Sequence, residues 1–216
     1  MNLPKAKLLL ISCFFYIGLK AQIVKDIDGN IYHTVKIGKQ TWMVENLKTT
    51  KFQNGNSIPK ENNTVSWNNL TSSAYCDYEN SVDSKTYGRL YNWYAVKDSR
   101  KIEPKGWHVA SDAEWTILIN YIGGENVAGG KLKEKGEAHW EYNNTETSNQ
   151  TGFTSLPGGS IDKPGRHGIK DFGFWWTSTE ENKVNAYYRT MNGTGINIYR
   201  SSYFKYGGFS VRCIKD

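Results

Sequence analysis

The chain has 216 residues, with 27 Lys plus Arg against 21 Asp plus Glu and a formal net charge of +6. Lys5, Lys7 and Lys20 lie in the first 21 residues, which carry no acid, so the remainder holds 24 basic side chains against 21 acidic ones. With no basic run left, an electrostatic footprint for nucleic acid or anionic lipid is excluded, and 8 Trp, 14 Tyr and 8 Phe beside 21 Gly exclude disorder in favour of a loop-rich, mostly β globular domain.

In chain order, the N-terminus reads first as an address. Lys5 and Lys7 precede the apolar run Leu8 to Leu19, and Leu19-Lys20-Ala21 supplies a small-residue cleavage site before Gln22. The run, about twelve residues, is short for a membrane span and ordinary for a secretory signal. The expected product is residues 22–216, one domain with no membrane span, secreted or at the cell surface, the periplasm remaining open. Leu10-Ile11-Ser12-Cys13 offers an alternative lipobox that would leave Cys13 acylated, but cleavage there would strand Phe14-Phe15-Tyr16-Ile17 at the mature terminus.

Val24 to Asn46 alternates like paired strands. Asp28-Gly29-Asn30 and Gly38-Lys39-Gln40 supply the turns, and Ile31, His33, Val35 and Ile37 share one parity. Asn54 to Ser73 is polar and aperiodic, which predicts a long surface loop. Tyr87 to Val96 has the crowded aromatic spacing of a short buried helix. Ser111-Asp112-Ala113-Glu114 has the form of a capping box. Trp115, Leu118, Ile119 and Ile122 then fall on one helical stripe, and Gly123-Gly124 ends it. A shorter helix over Val127 to Lys135 must carry Gly129-Gly130, at about 1 kcal/mol per glycine relative to alanine. Beyond Gly152 come short aromatic strands: Phe153 to Leu156, Phe174 to Ser178, Ala186 to Arg189, Ile196 to Tyr199 and Phe209 to Arg212. The fold class is therefore α+β, helices first and strands after.

Two cysteines remain in the processed chain, Cys76 and Cys213. They form either a disulfide, which an oxidising compartment permits, or two buried free thiols. Neither has a cysteine or histidine at metal-ligand spacing.

Asp26-Ile27-Asp28-Gly29-Asn30, Ile37-Gly38-Lys39-Gln40-Thr41-Trp42-Met43, Glu45-Asn46-Leu47, Tyr87-Gly88-Arg89-Leu90-Tyr91-Asn92-Trp93, Gly106-Trp107-His108, Leu156-Pro157-Gly158-Gly159, Gly173 to Thr179 and Gly208 to Asp216 follow one another along the chain. In this order they resemble the Fibrobacter succinogenes major paralogous domain, found in secreted and surface proteins of Bacteroidetes and Fibrobacteres. The resemblance implies a C-type-lectin-like domain of the formylglycine-generating-enzyme branch, with two or three helices packed on short, twisted, mainly antiparallel strands and long loops. Many relatives place a cysteine shortly before Gly-Trp-His, where this chain has Ile102-Glu103-Pro104.

Catalysis is not expected. Formylglycine generation needs a cysteine pair near the C-terminus, and Cys213 stands alone there. His33, His108, His139 and His167 are too scattered for a histidine-iron site, and His108 is expected half-buried and bonded to backbone. Glu180-Glu181, with Asp162 and Asp171 as further carboxylates, has no spacing that demands glycosidase chemistry. Glu180, Glu181, Asn182 and Asn185 are hard-oxygen candidates for calcium, with a solvated turn as the favoured alternative, so no cofactor is expected.

Asn182 to Tyr206 has a composition suited to recognition, tyrosine for contact area and Asn, Ser and Thr for adaptable hydrogen bonds. The candidate ligand-binding residues are Tyr188, Arg189, Asn192, Asn197, Tyr199, Arg200 and Tyr203, with Trp175 or Trp176 as a flat platform or, alternatively, as core. The expected function is a non-catalytic module that binds glycan or a surface glycoprotein. The alternatives are a protein-binding display protein diversified by a retroelement, which would favour Asn, Tyr and Ser near the C-terminus, and a structural envelope component. No feature of the sequence sets an oligomeric state.

Overall fold

A computed structural model describes residues 22–77, 81–141, 146–163 and 165–216. The signal expectation for residues 1–21, and the acylation alternative at Cys13, lie outside the described residues. The fold is mixed α+β and mostly strand. A five-stranded sheet runs in the order β1 (Ile23–Lys25), β2 (Ile31–Ile37), β3 (Gln40–Met43), β13 (Cys213–Lys215), β6 (Trp107–Val109). An eight-stranded sheet runs β11 (Tyr199–Phe204), β10 (Asn185–Asn192), β9 (Phe172–Glu180), β7 (Gly158–Ile161), β12 (Gly208–Phe209), β5 (Leu90–Asn92), β4 (Tyr75–Cys76), with β8 (Arg166–Ile169) paired to β7. All strand pairs are antiparallel except β7 with β9. Among the described residues two helices exceed two turns, α4 (Asp112–Tyr121) and α5 (Glu125–Leu132); α1 (Thr64–Trp67), α2 (Ser81–Tyr87) and α3 (Trp93–Val96) are shorter. No helix among the described residues is long and apolar enough to cross a membrane.

The first hairpin shows how the motifs fold. Asp26 Oδ1 accepts from the N–H groups of Asp28 (3.0 Å) and Asn30 (2.9 Å), and Gly29 takes the positive φ of +82° that the turn requires. Asp26 Oδ2 accepts from the Tyr32 hydroxyl at 2.6 Å. The parity expected for β2 holds at its far end, where Ile37 is buried with Val35 packed beside it, and is reversed at its start. There Tyr32, on the opposite parity, is the core residue, while Ile31 is 47% exposed and His33 donates its backbone N–H to Glu45. A buried ring with a satisfied hydroxyl has displaced the isoleucine.

Helix α4 forms as its sequence predicts. Ser111 and Glu114 complete the capping box, and Trp115, Leu118 and Ile119 are buried. In α5 the two glycines have a packing reason: a Cβ on Gly129 would sit 2.4 Å from the Asn197 carbonyl oxygen, and Gly130 donates to the Ile196 carbonyl at 3.0 Å. Ile196 to Ile198 therefore lies against a helix rather than pairing as a strand, and β11 begins at Tyr199. Phe153 to Leu156 contributes only a bridge between Ser155 and Lys133. Tyr87 to Val96 is not one helix: α2 ends at Tyr87, β5 follows, and Asn92 then caps the single turn of α3 by accepting from Ala95 N–H at 3.1 Å.

The C-terminal segment expected as one strand is divided between the two sheets, β12 in the larger and β13 in the smaller. Arg212, fully buried at this crossing, donates to the carbonyls of Met43, Val44 and Phe153 and to Asn46 Oδ1. Asn46 Oδ1 also accepts from Trp175 Nε1 at 2.9 Å, and Asn46 Nδ2 donates to the Tyr87 carbonyl at 2.8 Å. One core cluster packs Tyr32, Tyr91, Trp93, Trp107, Trp176 and Phe209, and another packs Trp42, Trp115, Trp140, Phe153 and Trp175. Strand β9 is thus buried on both faces. Cys213 belongs to the first cluster and Cys76 to a third, and both are free, buried thiols rather than a disulfide.

Candidate functional site: an aromatic face of the larger sheet

Strand register decides which candidate residues meet. In β10 and β11, Arg189 pairs with Arg200, Tyr188 with Ser201, and Ala186 with Tyr203. In β9 and β10, Trp175 pairs with Arg189, Trp176 with Tyr188, and Phe174 with Thr190. Because strand side chains alternate, one face carries Trp175, Arg189 and Arg200. The other carries Trp176, Tyr188, Asn192, Tyr199 and Tyr203. The expected binding set is split between two sides of one sheet.

The first side is structural. Arg189 is 1% exposed and spreads its guanidinium over Asp112 Oδ1 (2.8 Å), Thr116 Oγ1 (2.8 Å) and Glu125 Oε1 (3.1 Å), which fastens β10 to α4 and α5. Arg200 is exposed, but its Nε donates to Asp112 Oδ2 at 2.8 Å and its guanidinium lies 3.7 Å from the centre of the Tyr187 ring. Neither tryptophan is a platform: Trp175 and Trp176 are both 0% exposed. Trp176 Nε1 donates to the Tyr91 carbonyl at 2.9 Å, and its ring packs 4.4 Å from Phe209.

The second side opens toward its outer end. Half-buried Phe174 contacts Phe172 at 5.8 Å, Tyr188 at 5.9 Å and Phe209 at 5.3 Å between ring centres. Phe209 in turn meets Tyr188 at 4.9 Å and Tyr203 at 5.8 Å, and Tyr203 meets Tyr206 at 6.1 Å. The result is one connected run of rings with a buried floor, Trp176 and Phe209, and a half-exposed rim, Phe172, Phe174, Tyr188, Tyr203 and Tyr206. Tyr199, 48% exposed, stands on the edge strand of the same face. Asn192 Oδ1 caps the following turn by accepting from Gly195 N–H at 2.9 Å, while Asn197 donates from Nδ2 to Asn126 Oδ1 at 3.4 Å, away from the rings.

A polar wall borders this rim. Gly159 pairs with Gly173, and Ile161 with Gly208, so Ser160 and Asp162 project to the side of Phe172 and Phe209. Ser160 pairs across the β7–β8 hairpin with His167, whose Nε2 is 3.1 Å from Ser160 Oγ. His167 Nδ1 lies 3.2 Å from the Gly165 carbonyl and 3.5 Å from Asp162 Oδ1. Since a carbonyl only accepts, Nδ1 donates to Gly165, and Nε2 shares a hydrogen bond with the Ser160 hydroxyl. The order of groups is that of a hydrolytic triad, but the spacing is not: 3.5 Å is long for a charge-assisted bond, and Nδ1 is already engaged by Gly165. Burial raises the Asp162 carboxyl against the opposing pull of His167. Burial and then the Asp162 charge raise the Tyr203 hydroxyl, which places the carboxylate beside the rings.

The calcium candidates form a turn. Asn182 Oδ1 accepts from Val184 N–H (2.8 Å) and Asn185 N–H (2.9 Å), Glu180 pairs with Lys205, and Glu181 accepts from Asn182 Nδ2 at 3.1 Å. No group of three or more His, Cys, Asp or Glu among the described residues is arranged to hold a metal. His108, expected to bond backbone, holds two carboxylates, Asp216 at Nδ1 and Glu114 at Nε2, each at 2.7 Å. Two surface clefts lie away from the aromatic face. One of about 310 Å³ is rimmed by Lys25, Lys51 and Lys105, and one of about 480 Å³ by Lys36, Tyr121 and Lys131.

A family model, the Fibrobacter succinogenes major domain, matches residues 35–215. The chain belongs to this family. No curated protein and no solved structure matches it. The match runs from β2 to β13 and so includes the Asn46, Trp175 and Arg212 junction and the whole aromatic face of this Fibrobacter succinogenes major domain. Of the face, sequence reading found Tyr188, Tyr199 and Tyr203 but missed Phe172, Ser160 and His167. Reading 158–161 and 166–169 as the two arms of a hairpin would have brought Ser160 and His167 together.

Proposed function

We propose that this protein is a non-catalytic binding module, secreted or held at the cell surface, that lays carbohydrate, free or on a glycoprotein, against the aromatic face of β9 to β11. The observation that carries the reading is the set of half-exposed rings from Phe172 to Tyr206, joined through buried Phe209. Stacked or tilted rings present apolar area that the C–H face of a pyranose can cover, while hydroxyl and carboxylate groups at the border address its polar edge. We also propose the C-type-lectin-like arrangement for the fold, on the order of the family motifs and the mixed α+β architecture. Binding is proposed to need no calcium, because Asn182 Oδ1 already caps its own turn and Glu180 is paired with Lys205.

A second reading, a display surface diversified by a retroelement, draws on β11. There Tyr199, Arg200 and Ser201 are exposed on a strand at the border of the larger sheet, where substitution leaves the core untouched.

The test is binding of residues 22–216 to glycan arrays and insoluble polysaccharides, with calcium and with EDTA. Saturable, EDTA-resistant binding that falls about tenfold or more in Tyr188→Ala supports the proposal, since losing one aromatic contact and its buried area is worth roughly 1.4 kcal/mol or more. Absence of glycan binding turns the reading to protein recognition, and loss in EDTA restores a metal.

A further inference from the structure

Asp162 is a buried acid at the edge of the aromatic face whose Oδ1 has no hydrogen-bond donor. His167 Nδ1 is 3.5 Å away and already directed at Gly165. Buried carboxylates ordinarily accept two or more donors, because an unpaired charge out of water is costly. This one is 7% exposed and lies close enough to Tyr203 to oppose ionisation of its hydroxyl. Thr190 Oγ1, on the same face and paired across from Phe174, is likewise buried without a partner. Two unsatisfied polar atoms thus occur on the side of the sheet that carries the rings.

We propose that Asp162 is the hydroxyl acceptor of this face and that its charge makes the face select neutral sugars over uronic acids. The proposal rests on the carbohydrate reading above. A pyranose lying on Tyr188 and Phe174 would direct an equatorial hydroxyl, or a vicinal pair, at the carboxylate, which can only accept. A uronate would bring a second negative charge into a site already occupied by one, at a cost not screened as it would be in water. His167 borders the arrangement, its Nδ1 3.5 Å from Oδ1 and its Nε2 3.1 Å from Ser160 Oγ.

The experiment measures binding of the 22–216 protein and its Asp162→Asn and Tyr188→Ala variants to neutral glucan, xylan, mannan and galactan, and to polygalacturonate, with thermal melting of each. Wild type should bind at least one neutral polymer and not polygalacturonate. Asp162→Asn should weaken neutral binding by about ten- to a hundredfold, the range for a hydrogen bond to a charged acceptor. Because the substitution removes an unpaired buried charge, its melting temperature should be equal to or above that of wild type, so lost binding would not report unfolding. If Tyr188→Ala weakens binding and Asp162→Asn does not, the aromatic face stands and this inference falls. Equal binding of polygalacturonate by wild type also overturns it. If wild type binds no polymer, the carbohydrate reading and the inference fail together.

Discussion

Trp175 and Trp176 are neighbours in the chain that point to opposite sides of β9 and end in different cores. Their indole N–H groups are both satisfied, Trp175 by Asn46 and Trp176 by the Tyr91 carbonyl, which is what allows so large a polar-tipped ring to be fully buried. Trp175→Ala should therefore cost about 3–5 kcal/mol in denaturant unfolding. Tyr199→Ala, at an exposed edge position, should stay within about 0.5 kcal/mol. Equal losses would show that the division between core and face is wrong. Aromatic richness was plain in the sequence, but the depth of each ring was not. Exposure of Trp175 depends on a helix, α4, that lies some sixty residues earlier, and its Trp115 ring packs 6.3 Å away.

Helix α4 shows what local chemistry can specify alone. Its capping box, apolar stripe and terminal glycines all lie within fourteen residues, Ser111 to Gly124, and each behaves as the sequence indicates. Added to it is a contact no local reading could find: His108 on β6 lies between Glu114 of α4 and Asp216 at the C-terminus. Burial alone would depress the imidazole, but the hydrogen bonds to Asp216 and Glu114 outweigh it and raise its pKa above the ordinary 6.5. A pKa higher in the folded state than in the unfolded chain stabilises the fold fully below pH 6.5 and progressively less as pH rises through the raised value. His108→Gln should flatten the pH dependence of unfolding free energy above pH 6.5, with the two proteins differing most in acid. A dependence unchanged by the substitution would remove His108 from the account. Helix α5 and strand β11 were less legible for the opposite reason. The glycine pair that weakens α5 locally is required by the Ile196 to Ile198 segment pressed against it.

At the scale of the molecule, the two sheets are joined where Arg212 and Asn46 meet. The chain's last strand inserts between β3 and β6, so the fold closes only when its C-terminus is in place. That order is not visible in a sequence whose strands are read one by one. The thiols follow from the same closure. Burial pushes Cys76 up to about 12 and Cys213 well above the usual thiol value, and the two sit in separate clusters. The melting temperature should be the same with and without a reductant. Both thiols should resist a thiol-specific reagent in the native state and react once denaturant is added. A reductant-dependent melting temperature would establish a bridge instead.

The residues by which this chain is recognised serve its interior: Asp26 holds a turn, Asn46 and Arg212 join the sheets, and Trp42 and Trp175 fill a core. The rings and the carboxylate proposed to meet a ligand are held by that interior but take no part in joining the sheets. Two proteins could thus share these interior residues and present unrelated exteriors to the world. Shared descent in such a lineage would forecast how a new member folds and leave what it touches free to drift, so each member's binding partner must be sought on its own surface.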